Sequence, residues 1–114
     1  MSLLVAQKVG DVVVFVFQTT SILDEVAVNE VARELEHVVQ NSEVDKFVID
    51  MGRIEMMTSS MLGQLVKFKK LCDTEQFSLM LCNLSGEIQK LFKMTRLDKV
   101  FSIAKTREAA LKKV

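Results

Sequence analysis

Short apolar runs rich in β-branched residues alternate along this chain with longer segments whose apolar residues recur at helical spacing. The runs predict five strands: Leu3–Val9, Val12–Phe17, Phe47–Ile49, Phe77–Cys82 and Val100–Ile103. The first two flank Gly10–Asp11, which favours a hairpin and antiparallel pairing. The later strands alternate with helical segments, so crossover connections should make their pairing parallel. The order β-β-α-β-α-β-α-β-α therefore predicts an α/β domain with a mixed β-sheet.

Four helices are expected to pack on this sheet, because each helical segment has one apolar face. The first carries an apolar stripe from Val28 to Val39, and Asp24, one turn ahead of it, suits an N-terminal cap. The other helices are predicted to begin near Ser59 or Ser60, after a Ser85 cap, and after a Thr106 cap with the helix continuing through Lys113.

The length of 114 residues predicts one domain over residues 1–114. Fifteen basic and fifteen acidic side chains give no formal net charge, so no general attraction to nucleic acid or to a membrane surface is expected. The sequence shows no signal-peptide pattern and no apolar run near the ~20 residues that span a bilayer, which favours a cytoplasmic protein.

Charge is unevenly distributed along the chain. Residues 87–114 carry eight basic and three acidic side chains, a net charge of +5, which leaves −5 on the remainder. Solvated helix faces account for this pattern, and so does a surface that steers an oppositely charged protein partner.

No set of residues suited to catalysis stands out. His37 lies off the apolar stripe of its helix, and Cys72 and Cys82 fall in apolar segments where buried, inert thiols are the usual case. Two cysteines and one histidine are too few for a disulfide framework or a structural zinc site. None of the four glycines has the spacing of a phosphate-binding loop. We therefore expect no enzyme activity, no cofactor and no metal.

The turn between the third strand and the second helix contains an unusual cluster of side chains. Thr58, Ser59 and Ser60 are consecutive at the predicted helix start. Helix capping explains such hydroxyls, and so does a phosphorylation switch, since a helix N-terminus tolerates negative charge. Met56 and Met57 precede them, either as exposed anchors for a partner or as core residues.

These features resemble the STAS domain and, more narrowly, the bacterial anti-sigma factor antagonists. In that family a strand ending in aspartate leads through a short loop to Asp-Ser-Ser-Gly-Leu-Gly at the start of the next helix; here Thr58–Gly63 occupies that place. Leu91–Ile103 is similar to the later family stretch of Leu-Phe-x-x-x-x-Leu followed by a short strand. The resemblance covers essentially the whole chain and implies a single STAS domain.

The resemblance also implies roles for individual residues. Ser59 matches the serine that a partner kinase phosphorylates, Ser60 matches its neighbour, and Asp24 matches the aspartate near the switch. The partner-binding surface is expected to comprise Asp24, Met56, Met57, Thr58, Ser59 and Ser60. Two residues depart from the family pattern: Thr58 replaces an aspartate, and Met61 replaces a glycine, which should place a bulky side chain beside the switch hydroxyl.

The implied function is that of an anti-sigma factor antagonist in a partner-switching pathway. The chain would bind an anti-sigma factor with serine kinase activity, release a sigma factor, and leave the complex when Ser59 is phosphorylated. A phosphatase could reverse that modification, and a neutral single domain favours a monomer. The alternative is a non-phosphorylated STAS interaction subunit of a signalling or transport assembly. The wider family also allows nucleotide binding, but no phosphate cradle supports it.

Overall fold

A computed structural model describes residues 2–114, so Met1 of the predicted domain lies outside the described residues. The strands are β1 (Leu4–Val9), β2 (Val12–Phe17), β3 (Ser21–Ile22), β4 (Lys46–Asp50), β5 (Met56–Met57), β6 (Ser78–Cys82) and β7 (Ile103–Ala104). The helices are α1 (Glu25–Asn41), α2 (Ser59–Thr74), α3 (Gly86–Met94) and α4 (Arg107–Lys113), with a short 3-10 helix at Leu97–Lys99.

Five of the strands form one mixed sheet in the order β1-β2-β4-β6-β7. β1 and β2 pair antiparallel across a turn in which Gly10 has a φ of 62°, a conformation that glycine adopts without strain. The pairs β2–β4, β4–β6 and β6–β7 are parallel. The predicted α/β fold with a mixed sheet and four helices is confirmed.

The helices cover the two faces of this sheet unequally. Helices α1, α2 and α3 contribute their apolar residues to the larger core, which includes Phe15, Phe47 and Leu81 of the sheet. Alternate strand residues, such as Val14 and Val48, point to a smaller core closed by α4. Strands buried on both faces explain the continuously apolar sequence of β2. Among residues 2–114, none of the helices combines the length and apolarity that crossing a bilayer requires.

The predicted caps at the helix N-termini are confirmed. Asp24 Oδ1 accepts a hydrogen bond from the Ala27 N–H at 2.8 Å, and Ser85 and Thr106 cap α3 and α4 in the same way. Such caps can be predicted from the sequence because the capping side chain and the N–H group that it binds lie only three residues apart.

The last strand and two short strands differ from the prediction. The expected strand Val100–Ile103 is wrong at its start: the Val100 N–H bonds to the Leu97 carbonyl at 3.0 Å, which closes the 3-10 turn, and the strand begins at Ile103. Two further strands, β3 and β5, form a separate parallel pair that the sequence did not predict. This pair positions the segment that precedes α2.

Candidate functional site

The segment before α2 begins at a buried carboxylate. Asp50 ends the central strand β4, and its Oδ1 accepts hydrogen bonds from the Gly52 N–H at 2.9 Å and the Asn83 amide at 3.2 Å. Its Oδ2 accepts a hydrogen bond from Nε of Arg107 in α4 at 2.9 Å, and Nη2 of the same guanidinium forms an ion pair with Oδ2 at 2.9 Å. Three hydrogen-bond donors and the charge of Arg107 thus satisfy the carboxylate, which makes its burial tolerable. They also connect the loop after β4 to the C-terminal helix.

The loop itself is held tightly against the rest of the domain. Met51 and Ile54 are fully buried, and the Ile54 N–H bonds to the Met51 carbonyl at 3.1 Å. A Cβ at Gly52 would lie 3.1 Å from Asp50 Oδ1, so a side chain there would crowd the anchoring carboxylate. The loop is therefore fixed in position by the rest of the domain and positions the start of α2.

Pairing between β3 and β5 brings the starts of two helices together. Ser21 aligns with Met56 and Ile22 with Met57, and the Thr58 N–H bonds to the Ile22 carbonyl at 3.2 Å. α1 follows β3 and α2 follows β5, so the caps Asp24 and Thr58 occupy corresponding positions at neighbouring helix N-termini, and Ser59 is the first residue of α2.

The three consecutive hydroxyl residues have different environments. Thr58 Oγ1 accepts a hydrogen bond from the Met61 N–H at 3.2 Å and is the cap of α2. Ser60 is half-buried, whereas Ser59 is exposed as the first residue of the helix. Capping therefore accounts for Thr58 and leaves Ser59 as an exposed residue outside the capping hydrogen bond.

Met61 does not lie beside the Ser59 hydroxyl, and the expectation that it would is wrong. Its side chain is fully buried among the core residues of α2. The third residue of the helix faces the sheet, so a larger side chain at this position fills the core instead of covering the helix start.

The two methionines before the cap also point in different directions. Met56 is 58% exposed, whereas Met57 is 8% exposed and belongs to the larger core. Successive strand residues face opposite sides, so β5 can expose only one of them. Of the two alternatives that the sequence left open, exposure is correct for Met56 and core packing for Met57, so the expected place of Met57 on an exposed partner-binding surface is wrong.

Further apolar side chains are exposed around the start of α2. Leu23 and Val26 are exposed beside the α1 cap, and Met94 of α3 lines a shallow groove of about 300 Å³ together with Met56. Sequence reasoning missed these three residues. The one signal available in the sequence was the position of Val26, which lies outside the apolar stripe of α1 and therefore favours exposure.

The remaining candidate groups of the sequence are placed away from this surface or buried. Burial raises the pKa of the Cys72 thiol to about 11 and that of Cys82 to about 12, with neighbouring Asp73 and Asp50 acting in the same direction. Both thiols therefore stay protonated near neutral pH. His37 is exposed on α1, where its ring nitrogen Nδ1 lies 3.3 Å from the Asn41 amide. Residues 2–114 contain no cluster of three or more His, Cys, Asp or Glu side chains that could hold a metal ion.

Comparison with known proteins defines the family to which this fold belongs. The STAS domain profile matches residues 4–110, so the chain belongs to the STAS domain family. An anti-sigma-factor antagonist STAS domain protein from Planctomyces limnophilus is similar in structure, with 24% identity, a TM-score of 0.83 and coverage of 98% of each chain.

SpoIIAA is a second structural neighbour, known in two states. The anti-sigma factor antagonist SpoIIAA in its unphosphorylated form is 20% identical, with a TM-score of 0.78 over 96% of this chain and 93% of that chain. The phosphorylated form of SpoIIAA, a Bacillus cell fate determinant, is 19% identical, with a TM-score of 0.71 and coverage of 96% of both chains. These similarities establish the shared fold.

Proposed function

We propose that the chain acts in the cytoplasm as an anti-sigma factor antagonist, a protein-binding regulator and not an enzyme. In this proposal it binds an anti-sigma factor with serine kinase activity, and phosphorylation of Ser59 ends the complex and can be reversed by a phosphatase. The observation that carries the proposal is exposed Ser59 at the start of α2, three residues after exposed Met56 and free of the capping role that Thr58 fills. Relatives named as antagonists, one in a phosphorylated form, support it.

The binding surface comprises the paired starts of α1 and α2. Asp24, Thr58, Ser59 and Ser60 supply its polar part, and Met56 supplies its exposed apolar part. Leu23 and Val26 extend that apolar area on the α1 side. Exposed apolar side chains beside a polar cluster are typical of a protein-binding surface. Met57 contributes to this surface indirectly, because its burial in the larger core fixes the position of Met56.

Phosphorylation should disrupt the interface without unfolding the domain. A phosphoryl group adds a charge of about −1.5 to −2 at neutral pH, and the positive end of the α2 dipole tolerates it. Burying that charge against a partner requires its desolvation, which is costly without a matching cation. Asp24 caps the adjacent helix α1, so the modification adds negative charge to a surface that already carries a carboxylate.

Binding of Ser59 variants to the anti-sigma factor tests this proposal. We expect Ser59→Ala to bind like the parent chain and Ser59→Asp to bind at least tenfold more weakly in isothermal titration calorimetry. Ser102→Asp is the matched control, because Ser102 is also exposed but lies just before β7. Equal weakening by both aspartates would overturn the assignment of the interface.

The alternative function is an interaction subunit that is never phosphorylated, acting in a signalling or transport assembly. Thr58 favours it, because the family has an aspartate before the switch serine that a kinase could recognise. Burial of Met61 removes the other observation in its favour, since access to Ser59 is open. A chain that binds its partner stably and acquires no phosphate in the presence of the kinase and ATP would establish this alternative.

The proposal also assigns a monomeric state. Sedimentation velocity should give a single species of about 13 kDa, close to the chain mass of 12.9 kDa. A concentration-dependent species of twice that mass would contradict the assignment.

A further inference from the structure

A second concave site lies on α3, separate from the groove that Met56 lines. Its volume is about 450 Å³, within the range of about 300–1,000 Å³ that is usual for small-molecule pockets. The floor is apolar and consists of buried Leu84, Phe92 and Ala104, and Ile103 adds a partly exposed apolar wall. Leu84 follows β6 and Ala104 ends β7, so the pocket lies at the carboxyl ends of two parallel strands, where α/β sheets commonly bind ligands.

The rim of this pocket carries a small number of charged groups from different elements. Lys93 comes from α3 and Lys105 follows β7, and both are exposed. Neither forms an ion pair with a carboxylate of the described residues, unlike Lys46, Lys69 and Lys90. Two unpaired ammonium groups over an apolar floor are complementary to a molecule with an apolar body and a negative end.

Asp98 narrows the class of ligand. It lines the same rim, so the two lysines and one aspartate leave a single excess positive charge. One excess charge suits a monoanion better than a phosphate dianion. The side-chain amide of Gln89 donates to the Leu84 carbonyl at 2.9 Å, so this donor is already engaged at the rim.

We infer that this pocket binds a small amphiphilic monocarboxylate, with its apolar chain or ring on Leu84, Phe92 and Ile103 and its carboxylate between Lys93 and Lys105. Each buried methylene group should raise affinity about fourfold. Each exposed ammonium group should raise the affinity by a further few-fold. The chain length of the ligand should therefore dominate its affinity, and its charge should determine its selectivity.

A titration followed by two-dimensional ¹H–¹⁵N NMR tests the inference, with hexanoate, octanoate and 1-octanol as probes. We expect octanoate to shift the amide signals of Leu84, Phe92 and Ile103 to Lys105, to bind about 16-fold more tightly than hexanoate, and to bind more tightly than 1-octanol. Absence of saturable shifts at these residues, or equal binding of octanoate and 1-octanol, would overturn it.

Charge-reversal variants separate the pocket from general electrostatic attraction. Lys93→Glu with Lys105→Glu should weaken octanoate binding at least tenfold. Lys99→Glu with Lys112→Glu changes the net charge equally at exposed lysines that do not line the pocket, and should leave binding unchanged. Equal weakening by the two double variants would overturn the site. The inference does not rest on the proposed function, because neither probe nor readout involves Ser59.

Discussion

Replacement of Arg107 by alanine should destabilise the domain and loosen the loop that leads to Ser59. Arg107 contributes one of the three hydrogen bonds to Asp50, from Nε to Oδ2 at 2.9 Å, and its Nη2 forms an ion pair with the same oxygen at 2.9 Å. Its removal leaves a carboxylate whose side chain is only 10% exposed with two donors, the Gly52 N–H and the Asn83 amide. The buried anion loses its counter-charge, which is the costly part of the change.

The loss of stability caused by Arg107→Ala lies between two limits. Breaking a fully buried ion pair costs about 3–5 kcal/mol, and breaking an exposed pair costs about 0–1 kcal/mol. The Arg107 side chain is 35% exposed, so water can replace part of its interaction with Asp50. We therefore expect a loss of about 2 kcal/mol, which corresponds to a drop of about 8 °C in Tm for a domain of this size.

Urea unfolding followed by circular dichroism measures this loss, and amide exchange at Gly52 reports on the loop. Lys46→Ala is the matched control, because it breaks the solvent-exposed Lys46–Asp11 pair and should leave the unfolding midpoint nearly unchanged. Arg107→Lys should fall between the parent and Arg107→Ala, since lysine keeps the charge and loses the planar fork. An Arg107→Ala midpoint no lower than that of Lys46→Ala would refute the reasoning.

Three further outcomes are expected. Cys72 and Cys82 should resist alkylation by iodoacetamide at pH 8 in the folded chain and react in urea. Burial raises the pKa of the Cys72 thiol from about 9 to about 11 and that of Cys82 to about 12. The protonated thiols therefore contribute their full stability below pH 9, and this contribution should be lost as the pH rises through 11 to 12. Thr58→Ala should lower the free energy of unfolding by about 1 kcal/mol in urea, because it removes the α2 cap. Thr58→Ser keeps the capping hydroxyl and should be nearly as stable as the parent chain. Met56→Ala should weaken partner binding without changing Tm, whereas Met57→Ala should lower Tm; the reverse pattern would contradict their assigned positions.

Local signals account for what the sequence could predict. The helix caps, the apolar stripe of α1 and the Gly10 hairpin each depend on residues a few positions apart, so the order of elements follows from the pattern. The start of α2 was also indicated locally, by the three consecutive hydroxyl residues from Thr58 to Ser60.

Long-range contacts account for what the sequence could not predict. The pair β3–β5 contains two residues on each strand and joins positions 35 residues apart, as in Ser21 with Met56. Without that pair, no pattern distinguishes exposed Met56 from buried Met57. The Asp50–Arg107 contact spans 57 residues, and Arg107 looks like an ordinary helix-surface residue in the sequence. Tertiary contacts therefore decide how the candidate site is supported.

Mapping the phosphorylated residue tests the central claim most directly. The chain is incubated with the proposed anti-sigma factor kinase and Mg-ATP. The peptide that contains residues 54–67 is sequenced by mass spectrometry while the complex is followed by size-exclusion chromatography. We predict one phosphate, on Ser59, and loss of the complex at the rate at which that phosphate appears. A phosphate on Thr58 or Ser60, or a fully phosphorylated chain that remains bound, would contradict the account.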